Sequence, residues 1–442
     1  MRSDLSEEKV KLSWKEVFLV YRKPRVITMA FLGFAGGLPY LLVFSTLTAW
    51  LRDDGVSRSA IGFFAWVGIT YSVKVFWAPV VDRLSVPFLT KALGQRRSWI
   101  LVGQIGIALG LVGMMFVGSS QLYILSLFAF IVAFSSATQD IAIDAYRIEA
   151  MPEAYQGAMS ATYIFGYRVA LLVAGAGALY IAEYQSWAVA YQVMAGLTGI
   201  GIVTVLVIQE PDVDRKIFEI PLLEDGNRAP VWVIAKSWVN DAMVQPFVDF
   251  FTRNGQFALV ILLFIAVFRL SDIAMGIMAN PFYLDMGYSK TEIANVAKVF
   301  GFFMSILGSA ICGILVVKWN IFRCLLIGAV AVASTNLLFA GLSLMTPEIS
   351  SLAIVISADN LSGGFAATAF IAYLSSLTNR AYTATQYALF SSLMTLPGKF
   401  ISGFSGLVVD SEGYFVFFIA AAGLGIPAIV LVWVLIRRES RA

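Results

Sequence analysis

Apolar stretches long enough to cross a bilayer recur about twelve times along the 442 residues of this chain. Hydrophobic residues make up 59% of the sequence and charged residues only 13%, whereas a soluble domain carries about 25% charged residues. The sequence therefore predicts an all-α integral membrane protein. The twelve predicted spans cover residues 25–50, 59–81, 98–118, 121–147, 158–182, 187–208, 256–284, 291–317, 321–343, 349–377, 384–409 and 413–436.

Lysine and arginine are distributed unequally between the two sides of these spans. Of the 31 basic residues, only Arg52, Arg58 and Lys290 fall in loops on one side, and most of the others lie on the side of the chain termini. Basic residues are retained in the cytoplasm, so both termini are predicted to be cytoplasmic. The basic segment before the first span does not have the pattern of a signal peptide.

The longest polar stretch separates six predicted spans from the other six. We expect an N-terminal half at residues 1–208, a central cytoplasmic loop at 209–255 and a C-terminal half at 256–442. Weak repeats link the halves at offsets of about 230 residues, and two repeated six-helix halves are typical of the major-facilitator design. Within the loop, the amphipathic run 231–251 predicts a helix on the membrane surface, interrupted at Pro246. Residues 212–228 are expected to form a loosely ordered linker.

Nine charged residues lie inside the predicted spans. A charge at mid-membrane costs on the order of several kcal/mol, so such residues usually face a water-filled cavity and have a function. Some pairs could instead hold helices together. The pattern favours a transporter with a charged central site, formed from Lys74, Arg168, Arg269, Lys298, Lys399, Asp140, Asp144, Asp272 and Asp359.

The fourth predicted span places two acids on one stripe. Asp140 and Asp144 are one turn apart, and Arg147 continues the same stripe. Two neighbouring carboxylates repel unless a cation or a proton intervenes. Since the chain has no histidine, we expect a carboxylate to carry the transported proton, with Asp140 favoured over Asp144 and Asp272. The alternative is an ordinary charged helix end at the membrane surface.

Polar and aromatic side chains accompany these charges and suit a sugar or peptide ligand. Asn280-Pro281 is expected to break or bend the seventh span and free carbonyl groups. The tyrosines could instead simply lie at the membrane surface. The predicted substrate-binding residues are Lys74, Gln139, Arg168, Arg269, Asn280, Lys298, Asn360, Gln386, Lys399, Tyr40 and Tyr71.

A charged motif follows the second predicted span. Asp82-Arg83 and, after an insertion, Arg96-Arg97 predict a latch in which Asp82 caps a neighbouring helix or pairs with arginine. Such a latch would break and re-form as the two halves rock. The alternative is that these arginines only mark the cytoplasmic side.

Several classes of protein are excluded or disfavoured. No histidine and no G-x-x-x-x-G-K-[ST] motif are present, so we expect no cofactor, no metal site and no ATP hydrolysis. An enzyme would need a nucleophile–base pair, which is not visible. A channel would not need two repeated halves, and a signalling receptor remains a weaker alternative.

Motifs along most of the chain resemble the AmpG family of muropeptide permeases. They are GFAGGLP, IGFFAWVG, KVFWAPVVDR, ATQDIAIDA and FGYR in the first half, and RLSD, DNLSGG and ATQYAL in the second. The resemblance implies a major-facilitator fold in the bacterial inner membrane. It also implies proton-driven import of N-acetylglucosaminyl-1,6-anhydro-N-acetylmuramyl peptides, cell-wall recycling and, where the circuit exists, β-lactamase induction.

By position, the resemblance assigns the family's polar residues to Lys74, Gln139, Asp140, Asp144, Arg168, Asp272, Lys298 and Asn360. Arg269 and Lys399 stand where the family is expected to carry either basic residue. Some members have two further helices after the twelfth. Related branches import siderophores or acetyl-CoA, so these substrates remain the alternative. The expected partners are the muropeptide, protons and membrane lipids, with no nucleic acid, and the expected state is a monomer.

Overall fold

A computed structural model describes residues 19–56, 65–213, 230, 232–233, 236–237, 240–402 and 404–439. The described chain is helical and contains no strand, and ten of its helices are long and apolar enough to cross a membrane. Five of these helices precede the central loop and five follow it, and the second and eleventh predicted spans are not among the ten. We number the twelve predicted spans in chain order, and we call the end where the first span begins the termini end.

Apart from the second span, the helices of the first half follow the predicted spans closely. The first span comprises Pro24–Leu42 and Ser45–Asp53, and the fifth continues through a π-helical turn at Val173–Gly177. The other helices of this half are Gln95–Val117, Leu122–Ala150, Gln156–Leu172, Ala178–Tyr184 and Trp187–Val207.

The second half contains more interruptions. Its eighth span begins with a short helix and a π-helical turn, and Gly413, at φ 80°, separates the eleventh span from the twelfth. The helices are Phe257–Val267, Leu270–Asp285, Lys290–Ile293, Ala294–Phe300, Gly301–Lys318, Ile321–Leu342, Ile349–Leu377, Thr383–Ser402, Ser405–Gly423 and Ile426–Glu439.

The second span differs from the uninterrupted helix predicted over 59–81. Residues 57–64 lie outside the described part, and the remainder consists of short pieces: Ala65–Gly68, Ile69–Ser72, Lys74–Phe76 and Ala78–Arg83. Pro79 lies in the first turn of the last piece, where its missing N–H is tolerated. Because of these breaks, Lys74 and Asp82 lie in separate helical pieces and do not share one continuous helical face.

The seventh span is interrupted nearer its start than predicted. The helix Leu270–Asp285 continues through Pro281, and the interruption falls at Phe268 and Arg269. A proline inside a helix removes one hydrogen bond, and neighbouring helices can support the remaining turns. The seventh span is therefore not broken at Asn280-Pro281, and a bend there stays a prediction. The break lies beside the charged residues Arg269 and Asp272.

Two glycines of the fifth span let it pack closely on both halves. A Cβ atom at Gly166 would lie 1.7 Å from the carbonyl oxygen of Ala30 in the first span. At Gly157 a Cβ atom would lie 2.7 Å from the side chain of Val316 in the eighth span. Because small residues allow helix backbones to approach, the fifth span is fixed between the two halves and carries Arg168 with it.

Candidate substrate and coupling site

The stripe on the fourth span forms an ion-pair chain with the second span. The Lys74 Nζ lies 3.9 Å from Asp144 Oδ2, and Arg147 Nη2 lies 3.3 Å from Asp144 Oδ1. The side chains of Lys74, Asp144 and Arg147 are at most 12% exposed. Asp144 therefore stands between two cations, and each of the three charges has an opposite charge nearby.

Asp140, one turn away, has a different environment. Its Oδ1 is buried and has no hydrogen-bond partner within the described residues. Its charge acts on Lys74 and Asp144, and on the phenol groups of Tyr71 and Tyr163. A buried carboxyl oxygen without a partner is unusual in a folded protein and calls for an explanation. Here it is the point on the stripe that can still accept a proton or a ligand hydroxyl.

Aromatic side chains surround this carboxylate. Tyr40 and Tyr71 meet edge to face with ring centroids 5.8 Å apart, and Phe44 packs 4.8 Å from Tyr40. On the fifth span Tyr163 and Tyr167 lie 6.1 Å apart, and both interact electrostatically with Asp140. The predicted residues Tyr40 and Tyr71 are thus brought together, and two tyrosines that the sequence analysis left out join them.

Arg147 connects the fourth span to the other half. It is fully buried, and its Nη1 donates to Ser160 Oγ at 3.2 Å and to Ser375 Oγ at 2.6 Å. Its guanidinium also lies 5.1 Å from the ring centroid of Tyr387. The sequence analysis placed Arg147 on the stripe without assigning it to the site. Its position one turn beyond Asp144 was the available signal.

A second charged group lies at the break in the seventh span. Arg269 and Asp272 form a direct ion pair, as their spacing of three residues allows. Arg168 of the fifth span interacts electrostatically with both of them. Asp359 of the tenth span acts on Asp272 and contacts Thr335. Charged residues of both halves are therefore within electrostatic range of each other here.

Lys399 links the eleventh span to the second. Its Nζ donates to Ser72 Oγ at 2.7 Å. Asn360 is half-buried and donates to the carbonyl oxygen of Ile356 at 3.1 Å, close to Gly301 of the eighth span. The side chains of Asn280 and Lys298, two further predicted substrate contacts, lie outside the described part of the structure.

Two predicted substrate contacts face elsewhere. Gln139 is fully buried, donates to the Ala35 carbonyl oxygen at 2.8 Å and accepts from Gln104. Gln386 is 1% exposed and donates to the carbonyl oxygen of Pro246 at 2.8 Å. Both amides take part in helix packing, and neither contacts the charged residues of the site. Their assignment to substrate binding stays a prediction.

Gln386 instead holds the central segment against the eleventh span. This segment contains the π-helical turn Asn240–Val244 and the helix Gln245–Asn254. Gln386 also donates to Asp249 at 2.9 Å, and its Oε1 accepts from Arg253 at 3.1 Å. Pro246 lies in the first turn of the helix, as its fixed φ favours. The helix begins there and is not interrupted by Pro246.

The charged motif after the second span forms a buried network at the termini end. Arg96 is 1% exposed and donates to Asp82 Oδ1 at 2.7 Å and to Glu149 Oε1 at 2.6 Å. Asp82 Oδ2 accepts from the backbone N–H of Thr385 at 3.2 Å and from its hydroxyl at 3.1 Å. Asp82 thus makes both contacts that its position predicts, an arginine pair and a helix cap. We call Asp82, Arg96, Glu149 and Thr385 the end network.

The two other predicted latch residues take different positions. Arg83 Nη1 lies 3.6 Å from Asp241 Oδ2, and its guanidinium lies 4.9 Å from the ring of Tyr382. Arg97 donates to the carbonyl oxygens of Val205 and Leu206, at 2.8 and 2.9 Å. Arg97 therefore binds the last carbonyl groups of the sixth span, within its own half. Arg83 instead contacts the central segment and the second half.

The described residues contain no group of three or more His, Cys, Asp or Glu side chains able to hold a metal ion. The candidate site consists of ion pairs, phenol groups and contacts between the two helical halves. In transporters built from two repeated halves, the substrate site lies between the halves.

Comparison with known proteins gives the class. The Major Facilitator Superfamily profile matches residues 85–402. The proton:xylose symporter XylE aligns with a TM-score of 0.63 at 13% identity, covering 95% of each chain. The E. coli fucose:proton symporter FucP aligns with a TM-score of 0.66 at 11% identity, covering 95% of this chain and 98% of its own. This chain belongs to the major facilitator superfamily.

Within that superfamily the similar sequences are AmpG-type transporters. A Rickettsia conorii protein designated transporter AmpG 4 is 34% identical over 93% of this chain and 96% of its own length. The anhydromuropeptide permease of Escherichia coli K12 is 32% identical over 94% of this chain and 80% of its own length. The predicted fold and resemblance are confirmed: the chain is an AmpG-type, multi-pass inner-membrane transporter and not an enzyme.

Proposed function

We propose that this transporter imports N-acetylglucosaminyl-1,6-anhydro-N-acetylmuramyl peptides in symport with protons. Its similarity to the E. coli anhydromuropeptide permease, at 32% identity over 94% of the chain, is the observation that carries the proposal. The imported fragments would return to cell-wall synthesis and, in hosts with the circuit, act in β-lactamase induction. We further propose cytoplasmic termini, a monomer surrounded by lipid, and halves at 1–208 and 256–442 joined by 209–255.

The charged groups support an anionic, hydrogen-bonding ligand. Arg269 forms an ion pair with Asp272. Arg168 interacts electrostatically with both of these residues. Two neighbouring guanidinium groups favour a ligand carboxylate, because charge-assisted hydrogen bonds are about twice as strong as neutral ones. A muropeptide carries several carboxylates on its peptide and many hydroxyl groups on its sugars.

The stripe on the fourth span supports proton coupling through Asp140. Asp144 is held by Lys74 and Arg147, whereas Asp140 Oδ1 has no hydrogen-bond partner among the described residues. A proton added to Asp140 breaks no existing bond at that atom and removes one negative charge beside Asp144. Arg147 then transmits the change, because it binds Asp144 and the second half through Ser375.

The test is uptake into proteoliposomes with labelled anhydro-muropeptide. We expect accumulation when the outside is acidic, and only equilibration when the pH gradient is collapsed with a protonophore. An iron–siderophore complex and acetyl-CoA, tested in the same vesicles, should not be taken up. Uptake of either compound without uptake of the muropeptide would contradict the substrate assignment, and accumulation that persists without a gradient would contradict proton coupling.

A further inference from the structure

We infer that Lys399 is the seat for one carboxylate group of the substrate, and that Ser72 positions it. This inference rests on the proposed function and assigns one ligand charge to a named cation. Lys399 lies in the eleventh span, in the second half, and Ser72 lies in the second span, in the first half. Their hydrogen bond therefore crosses between the halves, where the substrate site of such transporters lies.

Lys399 differs from the other cations of the spans in its partner. Those with described side chains interact with acids: Lys74 and Arg147 with Asp144, and Arg168 and Arg269 with Asp272. The four acids inside the spans all belong to the described part of the structure, and none of them forms an ion pair with Lys399. A charge inside a bilayer is costly and usually serves a function. Lys399 is therefore a cation whose counter-charge a ligand can supply.

The ammonium group of Lys399 keeps donors for such a ligand. It carries three N–H donors, and the bond to Ser72 Oγ, at 2.7 Å, uses one of them. Lys399 is exposed, whereas Ser72 is only 9% exposed. The bond thus holds the ammonium at the contact between the second and eleventh spans. A carboxylate at the two remaining donors would form charge-assisted hydrogen bonds there.

The backbone beside Lys399 is fixed by close packing on the seventh span. A Cβ atom at Gly398 would lie 2.7 Å from the side chain of Ile273, so the absence of a side chain allows this approach. Pro397, inside the same helix, has a fixed φ. Lys399 is therefore held from two directions, by the seventh span through its backbone and by the second span through its ammonium. A binding group discriminates between ligands when it is held in this way.

The break in the second span places this seat beside the ion-pair chain of the fourth span. Ser72 ends the piece Ile69–Ser72, and Lys74 begins the next piece. Ser72 meets Lys399, and Lys74 meets Asp144. The seat and the ion-pair chain are thus linked through three consecutive residues of the second span.

The experiment compares two ligands on purified protein in lipid nanodiscs. One is the anhydro-disaccharide tetrapeptide with free carboxyl groups, and the other carries carboxamides in their place. The wild type should prefer the acidic ligand. Lys399→Gln should reduce this preference about tenfold by weakening the acidic ligand alone, whereas Lys399→Arg should retain it. Ser72→Ala should reduce it about threefold, because the ammonium remains but is no longer positioned.

Lys91→Gln, which neutralises an exposed lysine outside the spans, is the matched control and should leave the preference unchanged. Size-exclusion profiles establish that each variant remains folded.

Three results would overturn the inference. The first is an equal affinity of the wild type for both ligands, which needs no variant. The second is an unchanged preference in Lys399→Gln. The third is an equal loss of both ligands in Lys399→Gln and in Ser72→Ala, because their bond would then only join the second and eleventh spans. A wild-type protein that binds neither ligand would instead contradict the proposed function itself.

Discussion

Asp82 and Thr385, 303 residues apart, are joined by two hydrogen bonds between the two halves of the protein. The carboxylate accepts from the backbone N–H and the hydroxyl at the start of the eleventh span, where free N–H groups favour a negative charge. Because Arg25 of the first span donates to Ala150 at the end of the fourth, beside Glu149, this contact lies at the termini end. The structure is closed there.

The first prediction concerns this contact. Thr385→Val removes the hydroxyl hydrogen bond but keeps the backbone bond and the Arg96–Asp82 ion pair. Losing one such bond costs about 1 kcal/mol, which changes a two-state population about fivefold. Spin labels attached at Leu84 and Trp319, both partly exposed, should report a longer distance between the two labels in the variant.

Thr395→Val is the matched control, because Thr395 bonds only within its own helix. Unchanged distances in Thr385→Val would show that the hydroxyl bond does not hold the end closed.

A second prediction separates buried from exposed ion pairs. Arg96→Ala removes the cation that pairs with both Asp82 and Glu149, whose side chains are at most 3% exposed. Removing one partner of a buried pair costs about 3–5 kcal/mol. Thermal unfolding in detergent should therefore begin well below the wild-type temperature.

The control is Arg253→Ala, whose ion pair with Asp249 involves an arginine side chain that is 38% exposed. That variant should lose less than about 1 kcal/mol. The double variant Arg96→Met with Glu149→Met should recover part of the loss, because Asp82 is then the one acid of the end network that has lost Arg96, and it keeps its hydrogen bonds from Thr385. A wild-type melting temperature in Arg96→Ala would contradict the importance of the network.

The third prediction concerns coupling. Asp140→Asn cannot carry a proton but retains a polar group of similar size, so ligand binding and exchange between labelled and unlabelled substrate should persist. Accumulation driven by a pH gradient should be lost. Counterflow and gradient-driven uptake, measured in the same proteoliposomes, separate the two activities. If Asp140→Asn still concentrates the substrate, the proton is carried by Asp144 or Asp272.

The fourth prediction tests whether Gln386 holds the central helix or binds substrate. Gln386→Leu removes its hydrogen bonds to Pro246, Asp249 and Arg253. We expect a lower unfolding temperature and an unchanged substrate affinity, because the side chain contacts the central helix and not the charged site. Binding measurements on the folded fraction provide the second readout. A weakened affinity with normal stability would return Gln386 to the substrate site.

Much of the membrane architecture could be predicted from the sequence because hydrophobic length alone determines a span. The pairing of Arg269 with Asp272 and of Asp144 with Arg147 followed from helical spacing. Spacing does not reveal which neighbour a helix face meets. Gln139 lies beside Asp140 in sequence but turns into the first and third spans.

The positions of the helix breaks could not be predicted from the sequence either. Pro281 is accommodated within its helix, and the interruption falls at Phe268 and Arg269, where no glycine or proline marks it. The partners of Arg147 in the second half, Ser375 and Tyr387, are ordinary residues in sequence. They become recognisable only when the tenth and eleventh spans are in place.

The contacts between halves at the termini end have a kinetic consequence. Three hydrogen-bonded pairs connect the halves simultaneously: Arg147–Ser375, Arg380–Met151 and Asp82–Thr385. Opening this end during turnover requires all three to break. If each contributes about 1 kcal/mol, reorientation of the empty carrier faces a barrier with a large enthalpic part. Turnover should therefore slow steeply on cooling, more than diffusion of the substrate does, and the resting carrier should admit little solute leak.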